Sequence, residues 1–449
     1  MIIVRSIKPP FGLVVLALSL GPAFALNSSA DSGMDTAGVV QRAGAFDRYP
    51  TRPSWKVSGI DYAVGIPAGT VLKPPTSISD KRVSIHADAK RVDIGGNGVV
   101  LDAYDFSGWQ IELLPGAGNL TITRSRFISN SKQKLSSVYA LRGGTVKLIH
   151  NLFDGGGAAS AVNPLVSAGA GGAIIEYNVF RNVPNDAINI TQDGDYTIQY
   201  NLFDSLNFGA GHTDCVQTFF TGIKSLKINY NTVYQPAPGV DGFPGGGNSF
   251  VRVGDQRGQT VEALEIGHNT LIFRGEGTAR FANVFDISVD GGAVLNPTIH
   301  DNFVDSTGVL YGIWSPYYNE LTNPIYYDNR DLTKGAPLRA GPYNSRTAGV
   351  PTRSPAPPVV TSLAREGERI TLKGTAQPGT QISLTTASGL RTGAKVERDG
   401  GWMIVATLSP DIKLGDLRAV DTWGNASPAT VSPLNPIETD KRVGHGKSR

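Results

Sequence analysis

Residues 198–204 read Ile-Gln-Tyr-Asn-Leu-Phe-Asp: an apolar residue, a variable one, a polar ring, an asparagine and further apolar positions. The same pattern returns six more times along the chain. Its asparagine position is held in turn by Ser125, Asn151, Asn178, Asn201, Asn231, Asn269 and Asp301, at intervals of 26, 27, 23, 30, 38 and 32 residues. A roughly constant interval, with length changes confined to Gly-rich segments, is typical of a solenoid.

A second short apolar pattern lies between these repeats, as in Asp-Ala-Ile-Asn-Ile at 186–190 and Asp-Cys-Val-Gln-Thr at 214–218. Each repeat therefore holds at least two short strands, and its turns are too short for a crossover helix. This favours an all-β, parallel β-helix whose coils stack at ~4.8 Å. A β-propeller blade needs about 40 or more residues, and the leucine spacing of a leucine-rich repeat is absent.

Stacked coils would bring the repeated asparagines into a ladder. Asparagine tolerates the left-handed corner, and its amide can hydrogen-bond the same residue one coil away. Aromatic rings next to the ladder should also stack on one another. The rings predicted to do so are Phe127, Phe153, Phe180, Phe203 and Phe303.

The composition of the 449-residue chain, with 40% hydrophobic and 18% charged residues, is ordinary for a globular protein. Its net charge of +3 gives no reason to expect nucleic-acid binding. Cys215 is the only cysteine, so no internal disulfide is expected and stability must come from a large core.

Residues 1–25 have the features of a secretory signal peptide. Arg5 and Lys8 precede an apolar run to about Leu20, and Ala23-Phe24-Ala25 is a small-residue cleavage site. The run is shorter than the ~20 residues that a spanning helix needs. We therefore expect a secreted protein, periplasmic or extracellular, with no membrane span.

The two motifs Tyr-Ala-Val-Gly-Ile-Pro-Ala-Gly-Thr (62–70) and Val-Val-Leu-Asp-Ala-Tyr-Asp-Phe-Ser-Gly-Trp (99–109), followed by the asparagine coils, carry a family resemblance. Over roughly residues 60 to 315 the chain resembles the right-handed parallel β-helix proteins of the pectate-lyase-like superfamily. That architecture hosts lyases, hydrolases, epimerases and phage adhesins. The resemblance implies a carbohydrate partner, most often an acidic one.

The character of the chain changes after a Pro-rich linker. The stretches Ile-Thr-Leu-Lys-Gly-Thr-Ala-Gln-Pro-Gly-Thr (370–380) and Asp-Gly-Gly-Trp-Met-Ile-Val (399–405) resemble bacterial immunoglobulin-like modules, which implies a small β-sandwich acting as a spacer or docking module. The predicted organisation is a signal peptide (1–25), an N-terminal segment (26–59), the right-handed parallel β-helix (60–346), the linker (347–357), the immunoglobulin-like domain (358–433) and a basic tail (434–449).

Polar residues recur in the middle of the second strand of each coil. Each is flanked by apolar neighbours, so we expect these side chains to point out of the coil while the neighbours point in. Polar groups at ~4.8 Å steps could bind successive sugars of a polymer. The predicted column consists of Glu112, Arg142, Ser167, Asn189, Gln217, Arg252 and Asp286.

The candidate catalytic groups lie on neighbouring coils of that surface. Arg252 could neutralise a uronate carboxylate or act as a base, and His212 suits proton transfer near neutral pH. Asp186 and Asp214 could form an acid/base pair, as in a glycoside hydrolase, or hold a calcium ion. The catalytic hypothesis therefore comprises His212, Asp214, Arg252 and Asp186, with Glu112, Arg142, Asn189, Gln217 and Asp286 binding substrate.

Structural roles compete with each of these assignments. Asp186 and Asp214 each precede a strand, where a carboxylate often caps a corner. If inward and outward side chains alternate strictly along the strand, His212 and Asp214 point inward like Val216. They reach the outer surface only if a corner falls between Asp214 and Val216. Cys215 is interpreted as a packed thiol rather than a nucleophile.

The remaining histidines give no metal assignment from the sequence. His150, His268 and His300 are interpreted as ring-stacking residues in one column with Tyr177, Tyr200 and Tyr230, so no metal ligands are assigned. Three functions are compatible with the sequence: a polysaccharide lyase or epimerase, a glycoside hydrolase, and a glycan-binding surface protein without catalysis.

For the oligomeric state, we expect a monomer.

Overall fold

A computed structural model gives the fold. It describes residues 44–129, 136–140, 142–156, 164–169, 171–206, 213–219, 222–235, 249–254, 260–273, 281–287, 293–295, 297–314, 321–322, 325–338, 355–386, 391–407, 416–420 and 426–431. Apart from the 3-10 helices Pro75–Ser77 and Ser306–Gly308, the regular structure in these ranges is β-strand. Among them, no helix is long and apolar enough to cross a membrane.

Three long sheets run the length of the solenoid, and each coil contributes strands to them in turn. Neighbouring strands are parallel, apart from the first pair of sheet I, which is antiparallel. Sheet I consists, in spatial order, of Val83–His86, Arg91–Ile94, Gln110–Leu113, Val138–Ala140, Val166–Ala168, Ile188–Ile190, Asp214–Thr218, Ser249–Val253, Phe281–Ile287 and Val309–Trp314.

Sheet II follows sheet I along each coil, and sheet III follows sheet II. Sheet II consists of Val100–Asp102, Leu120–Thr123, Val146–Ile149, Ala173–Glu176, Gly194–Gln199 and Ile223–Asn229, and then divides into Thr260–Val261, Ala293–Leu295 and Leu321–Thr322 on one branch and Leu264–Gly267, Thr298–His300 and Ile325–Tyr327 on the other. Sheet III consists of Arg126–Ile128, Leu152–Asp154, Val179–Val183, Leu202–Leu206, Thr232–Gln235, Thr270–Phe273, Phe303–Val304 and Arg330–Asp331. The predicted parallel β-helix is confirmed.

A one-residue left-handed corner joins sheets II and III, and the predicted asparagine ladder follows it. At Tyr200, for example, φ is 59°. Asn201 Oδ1 then accepts hydrogen bonds from the backbone N (2.9 Å) and Nδ2 (3.0 Å) of Asn178 one coil earlier. The ladder predicted from Asn151 through Asn269 is present, but Asn302 rather than Asp301 holds the seventh repeat position, and the ladder continues to Asn329.

The interior contains the predicted stack of phenylalanine rings, with one member exchanged. Phe127, Phe153, Phe180 and Phe203 stack face to face, and Phe106 extends the stack at its start. Phe303 is not part of it. Its strand pairs Phe303 with Thr270, in the column that faces away from the coil interior.

An N-terminal strap, residues 44–66, explains where Phe303 packs. Trp55 makes edge contacts with Phe303 and His268. The backbone N of Gly65 donates to the backbone O of Tyr177 at 2.7 Å, on a coil several turns before that of His268. Strap residues and outward residues of sheet III form a second hydrophobic cluster, separate from the interior. The strap therefore lies across the coils and covers the apolar outer side of sheet III.

Two antiparallel sheets follow the solenoid. One consists of Val359–Glu366, Arg369–Thr375 and Gly401–Thr407, and the other of Arg391–Lys395, Gln381–Thr385, Asp416–Val420 and Thr430–Val431. Their side chains build a third hydrophobic cluster around the buried Trp402. The all-β fold class is confirmed.

Deleting residues 358–449 is expected to leave the β-helix folded. The C-terminal sheets have their own hydrophobic cluster, and ion pairs such as Lys395–Asp328 and Arg398–Asp301 join them to the coils. The cations of these two pairs are 52% and 57% exposed, and ion pairs at the surface contribute only ~0–1 kcal/mol each. A far-ultraviolet circular dichroism melting curve of the truncated chain checks this expectation. Loss of soluble, cooperatively melting protein would contradict it.

Candidate functional site

The polar column lies on sheet I with one residue per coil. Cα pairing in neighbouring strands joins Asp93 to Glu112, Glu112 to Tyr139, Tyr139 to Ser167 and onward. The full column, as observed, is Asp93, Glu112, Tyr139, Ser167, Asn189, Gln217, Arg252 and Asp286.

Arg142 was assigned to this column wrongly. It lies in an exposed turn after the strand Val138–Ala140, and Tyr139 occupies the column position. The sequence contains a signal for Tyr139 in place of Arg142. Tyr139 lies between the apolar residues Val138 and Ala140, as a column residue should, whereas Arg142 is followed by Gly143. Asp93 was missed because its strand precedes the first asparagine coil.

Most of the column is covered rather than exposed, contrary to the expectation from alternation. Ser167, Asn189, Gln217 and Asp286 are each less than 9% exposed, while Glu112, Tyr139 and Arg252 are partly exposed. Within the described residues, Asn189 Oδ1 is buried without a hydrogen-bond partner. The column is therefore a polar surface with limited access to solvent.

Arg252 is the cation of the column. Its Nη1 lies 3.4 Å from Oδ2 of Asp286 on the next coil, and its side chain is 19% exposed. On its other side the column neighbour is the amide of Gln217. A guanidinium presents several donors in one plane, so one arginine can bind more than one acceptor at a time.

Asp186 and Asp214 are brought together by the structure, but in a structural arrangement. The backbone N of Asp214 donates to Asp186 Oδ1 at 2.9 Å, and Ser249 Oγ donates to Asp214 Oδ1 at 2.6 Å. Both carboxyl groups are buried, and Asp214 has no exposed surface. Asp214 therefore does not face solvent, and both side chains form hydrogen bonds between successive coils.

The alternation of inward and outward residues breaks directly after Asp214. Cys215 and Val216 are consecutive, yet both belong to the interior hydrophobic cluster. Burial, and then the nearby charges of Asp214 and Asp186, raise the pKa of Cys215 well above its ordinary value. The thiol is therefore neutral and packed, as the sequence interpretation held. His212 lies outside the described residues.

Replacing Asp214 with alanine is expected to destabilise the β-helix. The substitution removes the acceptor of the buried Ser249 hydroxyl, and a buried polar group left unsatisfied costs ~1–3 kcal/mol. Ser249→Ala is the companion variant: it removes the donor of the same bond and takes that bond from the buried Asp214 carboxylate, so it should also lower stability. Urea unfolding of both variants gives the free energies. An Asp214→Ala protein as stable as the parent would contradict the structural role.

The outer aromatic column contains His150, Tyr177, Tyr200, Tyr230 and His268, which stack with centroids 4.5 to 5.1 Å apart. The stacking interpretation is thus confirmed for His150 and His268. His300 is an exception, because it pairs with Gly267, one position before the corner. It stacks on Tyr327 instead.

His268 and His300 have opposite electrostatic surroundings. Burial lowers the pKa of His268 below its usual value. Burial also opposes protonation of His300, but hydrogen bonds to Asp301 and Glu265 outweigh it and raise the pKa of His300. In turn, the hydrogen bond from His300 is the main cause that lowers the pKa of Glu265.

Comparison of the chain with protein-family models and with curated proteins finds no match. The function is therefore inferred from the residues of the site themselves.

Proposed function

We propose that the chain is a secreted carbohydrate-active protein that binds a uronate-containing polysaccharide along sheet I and acts on it as a lyase or epimerase. The observation that carries the proposal is the polar column, which has one polar residue per coil over eight strands, with Glu112, Tyr139 and Arg252 partly exposed. Coils follow one another at ~4.8 Å, which is close to the repeat of a sugar chain. A regular polymer is the ligand that such a regular surface fits.

An acidic polymer is favoured by the position of Arg252. Elimination from a uronate requires that the carboxylate be neutralised, that the C5 proton be removed, and that the leaving oxygen be protonated. Arg252, the partly exposed residue before the last position of the column, is suited to the first of these tasks. The buried acceptor Asn189 Oδ1, two coils away, is suited to a sugar hydroxyl.

Proton transfer is assigned to His212 as part of the same proposal. Imidazole is the side chain whose ordinary pKa lies nearest to neutral pH. In the sequence, His212 comes two residues before Asp214, the residue at which a sheet I strand begins. Epimerisation would use the same proton removal and return the proton to the opposite face of C5.

Hydrolysis by Asp186 and Asp214 is less well supported. A two-carboxylate hydrolase needs both groups beside the scissile bond. Here Asp214 is fully buried, and its Oδ1 accepts the Ser249 hydroxyl. These carboxyl groups bind protein atoms of neighbouring coils, an arrangement that favours a structural role.

The proposal is tested by incubating the purified chain with a panel of uronate-containing and neutral polysaccharides. Ultraviolet absorbance reports unsaturated uronate, a reducing-end assay reports hydrolysis, and proton exchange at C5 in heavy water reports epimerisation. Each assay is run with and without a chelator, because calcium is an open alternative for the cofactor. Activity on a uronate polymer by absorbance or C5 exchange supports the proposal. Reducing ends without either signal would point to a hydrolase, and binding without products to a glycan-binding protein.

A further inference from the structure

The last coils carry a cluster of ionisable side chains beside the corner between sheets II and III, away from the polar column on sheet I. His300 Nδ1 lies 2.8 Å from Asp301 Oδ2, and His268 Nε2 lies 3.9 Å from the same oxygen. In the described part of the chain, these are the three residues whose donor atoms meet the distances of a metal-ligand group, all within 4.8 Å of one another.

We propose that His268, His300 and Asp301 form a binding site for a divalent transition-metal ion of the zinc type. Two imidazole nitrogens and one carboxylate oxygen are a common donor set for this ion, which leaves a fourth position for water. Calcium and magnesium select oxygen donors and are disfavoured here. The site is independent of the proposed polysaccharide chemistry on sheet I.

The distances are close to those that a bound ion requires. Tetrahedral zinc with ligands at ~2.0–2.1 Å sets neighbouring donor atoms about 3.3 Å apart. The separations of 2.8 and 3.9 Å about Asp301 Oδ2 lie on either side of that value. The donor atoms of His268 and His300 lie within 4.8 Å of each other, so side-chain rotations must bring these two closer for all three donors to bind one ion.

A glycine makes room for the ring of His300. In the earlier coils this column of sheet II holds Glu176, Gln199 and Asn229, and in the next coil it holds Gly267. A Cβ atom added at Gly267 would lie 2.6 Å from Cε1 and Nε2 of His300. The absent side chain leaves the space into which the imidazole of His300 turns, toward His268 and Asp301.

Neighbouring groups are placed to orient the ligands. If Nδ1 of His300 binds the metal, the other ring nitrogen, Nε2, lies 3.5 Å from Glu265 Oε1. Asn229 Nδ2 donates a hydrogen bond to the same Glu265 oxygen at 3.0 Å. A carboxylate bound to the outer nitrogen of a histidine fixes the tautomer that a metal needs. Arg398 from the C-terminal sheets binds Asp301 Oδ1, which directs Oδ2 toward the histidines.

The site is largely shielded from solvent. The side chains of His300 and Asp301 are 9% and 8% exposed, and the ring of Trp55 lies edge-on to His268 at 4.9 Å. Because Arg398 comes from the C-terminal sheets and Trp55 from the strap, ion binding would stabilise a point at which three parts of the chain meet.

The test uses the full chain without an affinity tag, with Zn²⁺ and Co²⁺ as probes. Equilibrium dialysis should find a Zn²⁺ ion whose affinity falls at least ~10-fold in His268→Ala, in His300→Ala and in Glu265→Gln, since even an outer ligand partner contributes 10- to 100-fold. Gly267→Ala should have the same effect by displacing the His300 ring. Bound Co²⁺ should show the strong visible absorption of a tetrahedral site, and Zn²⁺ should abolish it.

His150→Ala is the matched control. His150 occupies the corresponding corner of an earlier coil and stacks on Tyr177, so its loss should leave Zn²⁺ affinity unchanged. Melting curves identify any variant that fails to fold, and Glu265→Gln and Gly267→Ala leave all three proposed ligands in the chain. The proposal is overturned if the parent chain binds no Zn²⁺, or if the affinities of the folded Glu265→Gln and Gly267→Ala variants equal that of His150→Ala.

Discussion

Replacing Phe180 with alanine is expected to lower the free energy of unfolding by ~3 to 5 kcal/mol, the usual cost of a large cavity in a core. Phe180 is fully buried, and its ring stacks between Phe153 and Phe203 with centroids 5.0 and 5.2 Å away. Close-packed rings on both sides cannot collapse into the space. The free-energy cost of the empty cavity therefore adds to the loss of the buried apolar surface of the ring.

Tyr177→Ala is the control for Phe180→Ala. Tyr177 belongs to the same coil and also stacks between two rings, at 5.0 and 4.9 Å, but on the outer side of the coil and only partly buried. Removing its ring opens a surface notch that water can fill, so the loss should be clearly smaller. Denaturant unfolding measures both values. Equal stability losses, or a Phe180→Ala protein that unfolds like the parent, would show that the inner stack is wrong.

The regular coils could be predicted from the sequence because their determinants are local. Each corner needs a residue that accepts a left-handed conformation, followed by a side chain with both an amide donor and an acceptor. The seventh repeat position was assigned to Asp301 instead of Asn302, because two similar side chains are adjacent there. Only Asn302 has the donor: its Nδ2 binds Ile266 O at 3.0 Å and Asn329 Oδ1 at 2.8 Å. A carboxylate could not form those bonds.

Contacts between distant segments could not be read from the repeat. Phe303 packs outward because the strap supplies Trp55, some 250 residues earlier in the chain, as its partner. Asp214 is buried because Ser249, one coil later, provides a hydroxyl for it. The sequence period predicts whether a side chain points inward or outward relative to its neighbours. Whether that side chain is buried depends on residues of other coils and of the strap.

Arg252→Ala is expected to lower turnover of a uronate polymer by at least ~100-fold, the lower range for a positioned group in acid–base chemistry. The substitution removes the cation of the column and leaves the substrate carboxylate opposite Asp286. Arg252→Lys is a companion variant. It keeps the positive charge but loses the planar guanidinium, which lies 3.4 Å from Asp286 in the parent. Turnover of Arg252→Lys should fall between the parent and Arg252→Ala. A melting curve for each variant separates catalysis from stability.

Arg142→Ala supplies the matched arginine control. Both arginines were predicted for the column, but Arg142 lies exposed in a turn outside it. The proposed substrate recognition along the column therefore involves Arg252 and not Arg142. Turnover of the Arg142→Ala protein should stay within about threefold of the parent, because an exposed side chain outside the site contributes little.

The initial rate of unsaturated-uronate formation, or of C5 proton exchange, in the parent, Arg252→Ala and Arg142→Ala tests the central claim most directly. If the polar column on sheet I is the substrate-binding surface, Arg252→Ala loses at least ~100-fold while Arg142→Ala keeps the parent rate. Equal rates in the two folded variants, or a larger loss in Arg142→Ala, would contradict the assignment of the site to this face of the β-helix.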